Sequence, residues 1–262
     1  MNRRQFSAGV SLLAIAAAPR IALAQPGPAL RAAVDGAGRT PANKARDPFR
    51  HPVESLTFWG LKPGMTIVEI DPGAAGYWNE ILVAYAAATG GHYIATAAPH
   101  FAGAGPVEQL SLTSGPIAAA GSVDLVLTAR NIHNMMWEPG LLAKALKDFH
   151  DALKPNGILA VEEHRADPTP QVDTPTRPAS TGYVTVAHVV DAARQAGFRL
   201  EAQSEINANP KDAKDYPFGV WTLPPVRQSS ARNQPSPPGF DRAKYDAIGE
   251  SDRMTLRFRK AG

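Results

Sequence analysis

The chain alternates short apolar runs with longer segments whose apolar residues recur every three or four positions. The first kind reads as buried strands and the second as amphipathic helices. In residues 65–70, Ile67, Val68 and Ile70 put apolar side chains on both faces, as a covered parallel strand requires. Further strands are predicted at 92–96, 109–112, 123–128, 158–163 and 199–207. Residues 254–260 alternate apolar and basic side chains and read as a closing edge strand. Four helices are predicted between them. Residues 52–60 share a face through Val53, Leu56 and Trp59, and 77–88 through Ile81, Leu82 and Tyr85. Residues 139–153 carry Leu141, Leu142, Leu146 and Phe149, and 184–196 stop at Gly197.

This alternation predicts an α/β fold, Rossmann-like and doubly wound, with a mostly parallel seven-stranded sheet. The last two strands would close it as an antiparallel edge hairpin. One domain spans 51–262, with an irregular Pro-, Gly- and charge-rich insertion at 208–250. Residues 25–50, rich in Ala, Gly, Pro and Arg, read as a poorly ordered leader and an extended arm.

The first 24 residues change the charge picture. Arg3-Arg4-Gln5-Phe6, an apolar run over 10–18 and Ala22-Leu23-Ala24 read as a signal peptide of the twin-arginine type, cut near Ala24. A periplasmic or secreted location is expected. The whole chain carries a net charge of +3, and the predicted leader holds Arg3, Arg4 and Arg20 and no acid. The remainder is neutral, with no basic footprint for nucleic acid. No later segment is apolar enough to span a membrane, so the expected partner is a small-molecule substrate; the oligomeric state stays open. The chain has no cysteine, which excludes disulfides, thiol catalysis and thiolate metal sites.

The candidate chemistry lies where strands end. Met65-Thr66-Ile67-Val68-Glu69-Ile70-Asp71-Pro72-Gly73-Ala74-Ala75-Gly76-Tyr77-Trp78 reads as strand, glycine-bearing turn and helix start, which brings backbone N–H groups close to a bound molecule. Arg130-Asn131-Ile132-His133 and Glu163-His164-Arg165 follow the fourth and fifth strands and should crowd one mouth of the sheet. His133 and His164 are candidate proton acceptors. The other five histidines show no metal spacing, and no metal site is expected. Arg50, His51 and Glu54 are placed to act either as a lid or as plain structure. Trp59, Tyr77, Trp78 and Tyr183 line a cavity or belong to the core. Met135-Met136-Trp137 is expected to pack on the sheet mouth.

Several of these stretches resemble one family. Glu69 before the glycine turn is similar to the first motif of class I S-adenosylmethionine-dependent methyltransferases. Leu153-Lys154-Pro155-Asn156-Gly157 resembles their "LKPGG" turn, and Ala196-Gly197-Phe198 their "AGF". Together with Asp47-Pro48-Phe49-Arg50-His51-Pro52, Leu127-Thr128-Ala129-Arg130 and the C-terminal 251–260, they resemble an exported group of predicted methyltransferases over about 39–261. The resemblance implies S-adenosyl-L-methionine as cofactor, contacted by Glu69, Asp71, Gly73, Gly76, Tyr77, Thr96 and Asn131, with Glu69 fixing the loop. The sequence departs from the family at Asp71 and Ala75, where glycine is usual, and at the end of the second strand, where Tyr93-Ile94-Ala95-Thr96 lacks the acid that takes both ribose hydroxyls. The alternative is an exported binding protein that keeps the fold without methyl transfer. Hydrolysis ranks last, since no Gly-x-Ser-x-Gly elbow is present.

Overall fold

The computed structural model describes residues 27–96, 107–108, 115–168 and 179–261. The predicted signal peptide and the predicted strand at 109–112 lie outside them. Four helices come first: α1 (Pro28–Asp35), α2 (Pro41–Lys44), α3 (Asp47–Arg50) and α4 (Pro52–Phe58). Then follow β1 (Thr66–Ile70), α5 (Tyr77–Thr89), β2 (His92–Thr96), β3 (Val107–Glu108), β4 (Val123–Ala129), α6 (Ile132–Met135), α7 (Leu141–Ala152) and β5 (Leu153–His164). The chain closes with α8 (Val186–Gln195), β6 (Phe198–Ser204), a 3-10 turn (Gly219–Thr222), α9 (Arg242–Asp246) and β7 (Arg253–Lys260).

The strands form one seven-stranded sheet in the order β3-β2-β1-β4-β5-β7-β6. Strands β1 to β5 pair in parallel, and β7 runs antiparallel between β5 and β6. Strand order reverses between β1 and β4, and open α/β sheets bind ligands at that reversal, beyond the carboxyl ends of the strands. Strand β5 starts earlier than expected. Leu153 pairs with Val123, and a register shift absorbs the Lys154-Pro155-Asn156-Gly157 stretch, so this turn is a bulge inside the strand.

The two-residue period of β1 divides the core. Val68 and Ile70 face one apolar layer with Leu146 and Phe149 of α7 and Val189 of α8. Ile67 faces the other, with Ile81 and Leu82 of α5, Leu56 of α4 and Leu30 of α1. Glu69 shares the face of Ile67, which decides its partner below.

Residues 28–50 hold the three helices α1, α2 and α3, which corrects the extended arm. Leu30, Ala33 and Val34 recur at spacings three and four and are buried in the α5-side layer. Arg39 then forks onto Asp47 with two 2.7 Å bonds and donates to the Val34 carbonyl at 2.9 Å. Trp59 and Trp78 meet edge to face at 5.3 Å in the same layer, so both belong to the core.

An ionic cluster pins this helical segment to the C-terminal strand. The Glu250 carboxylate receives Arg46 at 2.7 Å, Arg50 at 2.8 Å and Arg253 at 2.9 Å. Burial opposes the charge, but Arg50, Arg253 and Arg46 overcome it and hold Glu250 well below the usual carboxylate range. Arg50 is therefore structural.

Candidate active site

The site is assembled from the ends of β1, β4 and β5. The chain leaves β1 through Asp71, whose φ of 42° lies in the left-handed region. It leaves β4 through Arg130, whose φ is 61°. Such conformations cost about 1–3 kcal/mol in non-glycine residues and gather at functional sites. Asp71 thus takes the backbone shape that glycine adopts most easily.

Asn131 ties the two strand ends together. Its side-chain amide donates to the Ile70 carbonyl at 2.6 Å and to the Asp71 carbonyl at 3.2 Å. The Asp71 N–H donates to the Thr96 carbonyl at 2.7 Å, so the backbone is held from both sides. Gly73 follows with φ 66°, and a Cβ there would meet nothing within 4 Å. The need for glycine at 73 is conformational.

A cavity of about 210 Å³ opens over these ends. Asp71, Gly73, Arg130, Asn131, His133 and His164 line it, and Trp221 and Pro224-Pro225 close it from the insertion. The Pro224-Pro225 bond is cis. The Asp71 carboxylate and the Arg130 guanidinium form no hydrogen bond or ion pair among the described residues. The Arg130 Nε is buried without a partner. Burial, with the nearby guanidinium of Arg50, pushes Arg130 down to about 9, which leaves it charged at neutral pH. Among the described residues neither group has a hydrogen-bonded partner, Arg130 feels Glu250 and Glu162 only at longer range, and both groups line the same small space.

Beside them, three N–H groups converge on Glu163. His133 Nδ1 lies 2.9 Å from Oε1, the His164 N–H donates to Oε1 at 2.8 Å, and the His133 N–H donates to Oε2 at 3.2 Å. A carboxylate accepts, so His133 Nδ1 carries the proton and Nε2 keeps its lone pair. His164 Nδ1 meets Ser251 Oγ at 2.6 Å, and the two imidazole centroids are 5.3 Å apart. Burial first, then His133, Arg130 and Arg253, hold the His164 imidazole neutral by lowering its pKa well below the usual range.

Of the residues that the sequence singled out, Asp71, Gly73, Asn131, His133 and His164 line the cavity, and four do not. Glu69 does not fix the glycine loop. It points to the α5 side and accepts the Tyr93 hydroxyl at 2.7 Å, with Asn79 donating to that hydroxyl at 3.0 Å. Burial raises Glu69 to about 8. Tyr77 is buried on the far face, where its hydroxyl donates to Asp47 at 2.7 Å and Arg50 covers its ring at 4.6 Å. Gly76 supplies the left-handed residue before α5, with φ 56°. Thr96 is buried and turns its hydroxyl toward the Glu69 carbonyl at 3.5 Å. Arg130 and Glu163 stood in the polar stretches that the sequence singled out but received no role of their own, and Ser251 and Trp221 were not proposed for the site. Only the first two carried a signal, as polar residues directly after apolar strands.

A larger cavity, about 860 Å³, lies between α7 and α8 with Met135, Met136 and Leu142 in its wall. Glu138, Lys147, His150, Asp151 and His188 also line it, but none of the residues at the ends of β1, β4 and β5 does, so size does not make it the site.

No family model and no curated protein matches the chain in sequence. Solved structures match it in three dimensions. The [4+2]-cyclase SpnF aligns with a TM-score of 0.51 at 13% identity, over 87% of this chain and 86% of that one. An S-adenosylmethionine-dependent methyltransferase from Aquifex aeolicus gives 0.48 at 20% identity, over 64% and 89%. The 1,6-didemethyltoxoflavin-N1-methyltransferase of Burkholderia thailandensis, with bound 1,6-didemethyltoxoflavin and S-adenosylhomocysteine, gives 0.46 at 12% identity, over 87% and 80%. At such identities the likeness concerns the fold alone, and the SpnF match carries it. With its strand order and antiparallel β7, the chain shares with that protein a Rossmann-like, doubly wound α/β fold.

Proposed function

We propose that this protein binds S-adenosylmethionine and transfers its methyl group to a small acceptor at the mouth of β4 and β5. The observation that carries the reading is the pair of unpaired opposite charges at the switch point. A methionine-type amino acid presents an ammonium and a carboxylate. Asp71 and Arg130 offer the complementary groups, and the cavity has room for that end of the molecule. Its volume falls below the roughly 300–1,000 Å³ of pockets that enclose a whole drug-sized ligand, so the adenosine end would extend past Thr96. The last residues of β2, Tyr93-Ile94-Ala95-Thr96, carry no carboxylate for the ribose hydroxyls. A missing charge-assisted bond costs about 1.5–3 kcal/mol, roughly ten- to hundredfold in affinity.

When bound, the cofactor supplies an electrophilic methyl group on sulfonium. The protein's own part is positioning and proton removal. His133 presents Nε2 toward the acceptor side and takes its proton, while Glu163 holds the ring and stabilises the imidazolium. His164, kept neutral by burial and nearby guanidinium groups, positions without titrating. Residues 1–24 would direct export, which places the reaction outside the cytoplasm. The twin-arginine route, which passes folded proteins, would deliver one bound equivalent.

Calorimetric titration with S-adenosylhomocysteine tests the reading. Saturable binding is expected, weakened about ten- to hundredfold in Asp71→Asn and in Arg130→Gln. No binding by the wild-type chain leaves only the fold, and with it a protein that binds some other small ligand.

A further inference from the structure

We propose that His133 and His164 form a binding site for a divalent transition-metal ion at the mouth of β4 and β5. The two side chains are 3% and 8% exposed and both line the cavity. Each ring is fixed from behind at Nδ1, by Glu163 for His133 and by Ser251 for His164. Neither Nε2 has a hydrogen-bond partner among the described residues. Two buried imidazoles thus line one space, each held at Nδ1, one by a carboxylate and one by a hydroxyl. Carboxylate support of a ligating histidine is the usual outer arrangement of metal sites, since it fixes the tautomer and makes the ring a better donor.

The spacing suits an ion. His133, Glu163 and His164 each offer a ligand atom, and these atoms lie within 4.8 Å of one another. Nitrogens at about 2.0–2.1 Å from a tetrahedral ion stand about 3.4 Å apart, which lies inside the 4.8 Å that bounds this cluster. The Glu163 oxygens are already occupied by three N–H donors, which makes Glu163 the support and leaves the remaining positions to water or acceptor. Imidazole donors without thiolate favour zinc, nickel, copper, cobalt or ferrous ions over magnesium or calcium. Arg130, Arg253 and Arg50 lie near His164 and oppose a second positive charge. The site should therefore bind as an open, exchangeable site. An ion there would occupy the His133 Nε2, which then no longer takes the acceptor's proton, and would polarise the acceptor hydroxyl in its place.

Titrating the full chain with Co²⁺, followed by visible absorbance, and with Zn²⁺, followed by calorimetry, decides this. One saturable equivalent of each is expected. His133→Ala and His164→Ala should abolish uptake, and Glu163→Gln, which keeps both rings, should weaken it by about tenfold or more. Circular dichroism checks that each variant is folded. Absence of saturable uptake by the wild-type chain overturns the proposal even if every variant unfolds. Unchanged uptake in both folded histidine variants also overturns it, since the ion is then adventitious. S-adenosylhomocysteine binding, measured on the same preparations, separates this claim from methyl transfer: cobalt uptake without nucleoside binding keeps the ion site and loses the transferase reading, and the reverse result does the opposite.

Discussion

Asp71 and Arg130 hold left-handed backbone conformations that glycine adopts at little cost. Asp71→Gly should therefore stabilise the fold by about 1 kcal/mol, because it removes that strain. The same change should weaken S-adenosylhomocysteine binding, because it deletes the anion. Urea denaturation and calorimetry on one preparation check both signs. Glu69 gives a second residue-level test. Its pKa rises from an ordinary 4.5 to about 8 on folding. A carboxyl shifted this way adds stability below its unfolded pKa and loses it as pH climbs through the folded value. Wild-type stability should fall between about pH 4.5 and 8 from this group, and Glu69→Gln should flatten that slope. Glu69 also shows where reading the sequence stops. Its place on β1 was legible, but its partner was not, since Tyr93 reaches it from β2, where it pairs with Ile67.

At the scale of elements, most strands and the long helices were legible because their apolar periods are clear. The helical segment at 28–50 was not, although Leu30, Ala33 and Val34 show helical spacing. Its abundance of Ala, Gly, Pro and Arg outweighed that pattern. What secures the segment is tertiary: Glu250 collects Arg46 and Arg50 from the two ends of α3 and Arg253 from β7. No local rule marks a glutamate at the end of an irregular stretch as such a hub. Removing one member of a buried ion cluster costs about 3–5 kcal/mol. Glu250→Gln should lower stability by that order, measured by chemical denaturation at neutral pH. Because folding depresses the Glu250 pKa, its contribution is present above the ordinary carboxylate value of 4.5 and fades as pH falls below it. Acid should thus loosen the N-terminal helices in the wild type more than in the variant.

At the scale of the whole molecule, strand order brings the chemistry together. His133 and Glu163 are far apart in sequence, yet Ala129 pairs with Glu162 across β4 and β5, which puts the residues that follow side by side. The alternation of strands and helices was enough to expect this crowding. It did not show that Asp71 and Arg130 would face one cavity unpaired, because both depend on backbone turns at the strand ends. Nor did histidine spacing suggest a metal, since ligands that meet through β pairing leave no short motif. The same topology states the central claim: opposite charges at the switch point hold the amino-acid end of a nucleoside cofactor. A crystal of the protein grown with S-adenosylhomocysteine tests it most directly. The account expects the ligand's ammonium against the Asp71 carboxylate and its carboxylate against the Arg130 guanidinium. A ligand bound with that end elsewhere, or a cleft that stays closed to it at saturating concentration, contradicts the account.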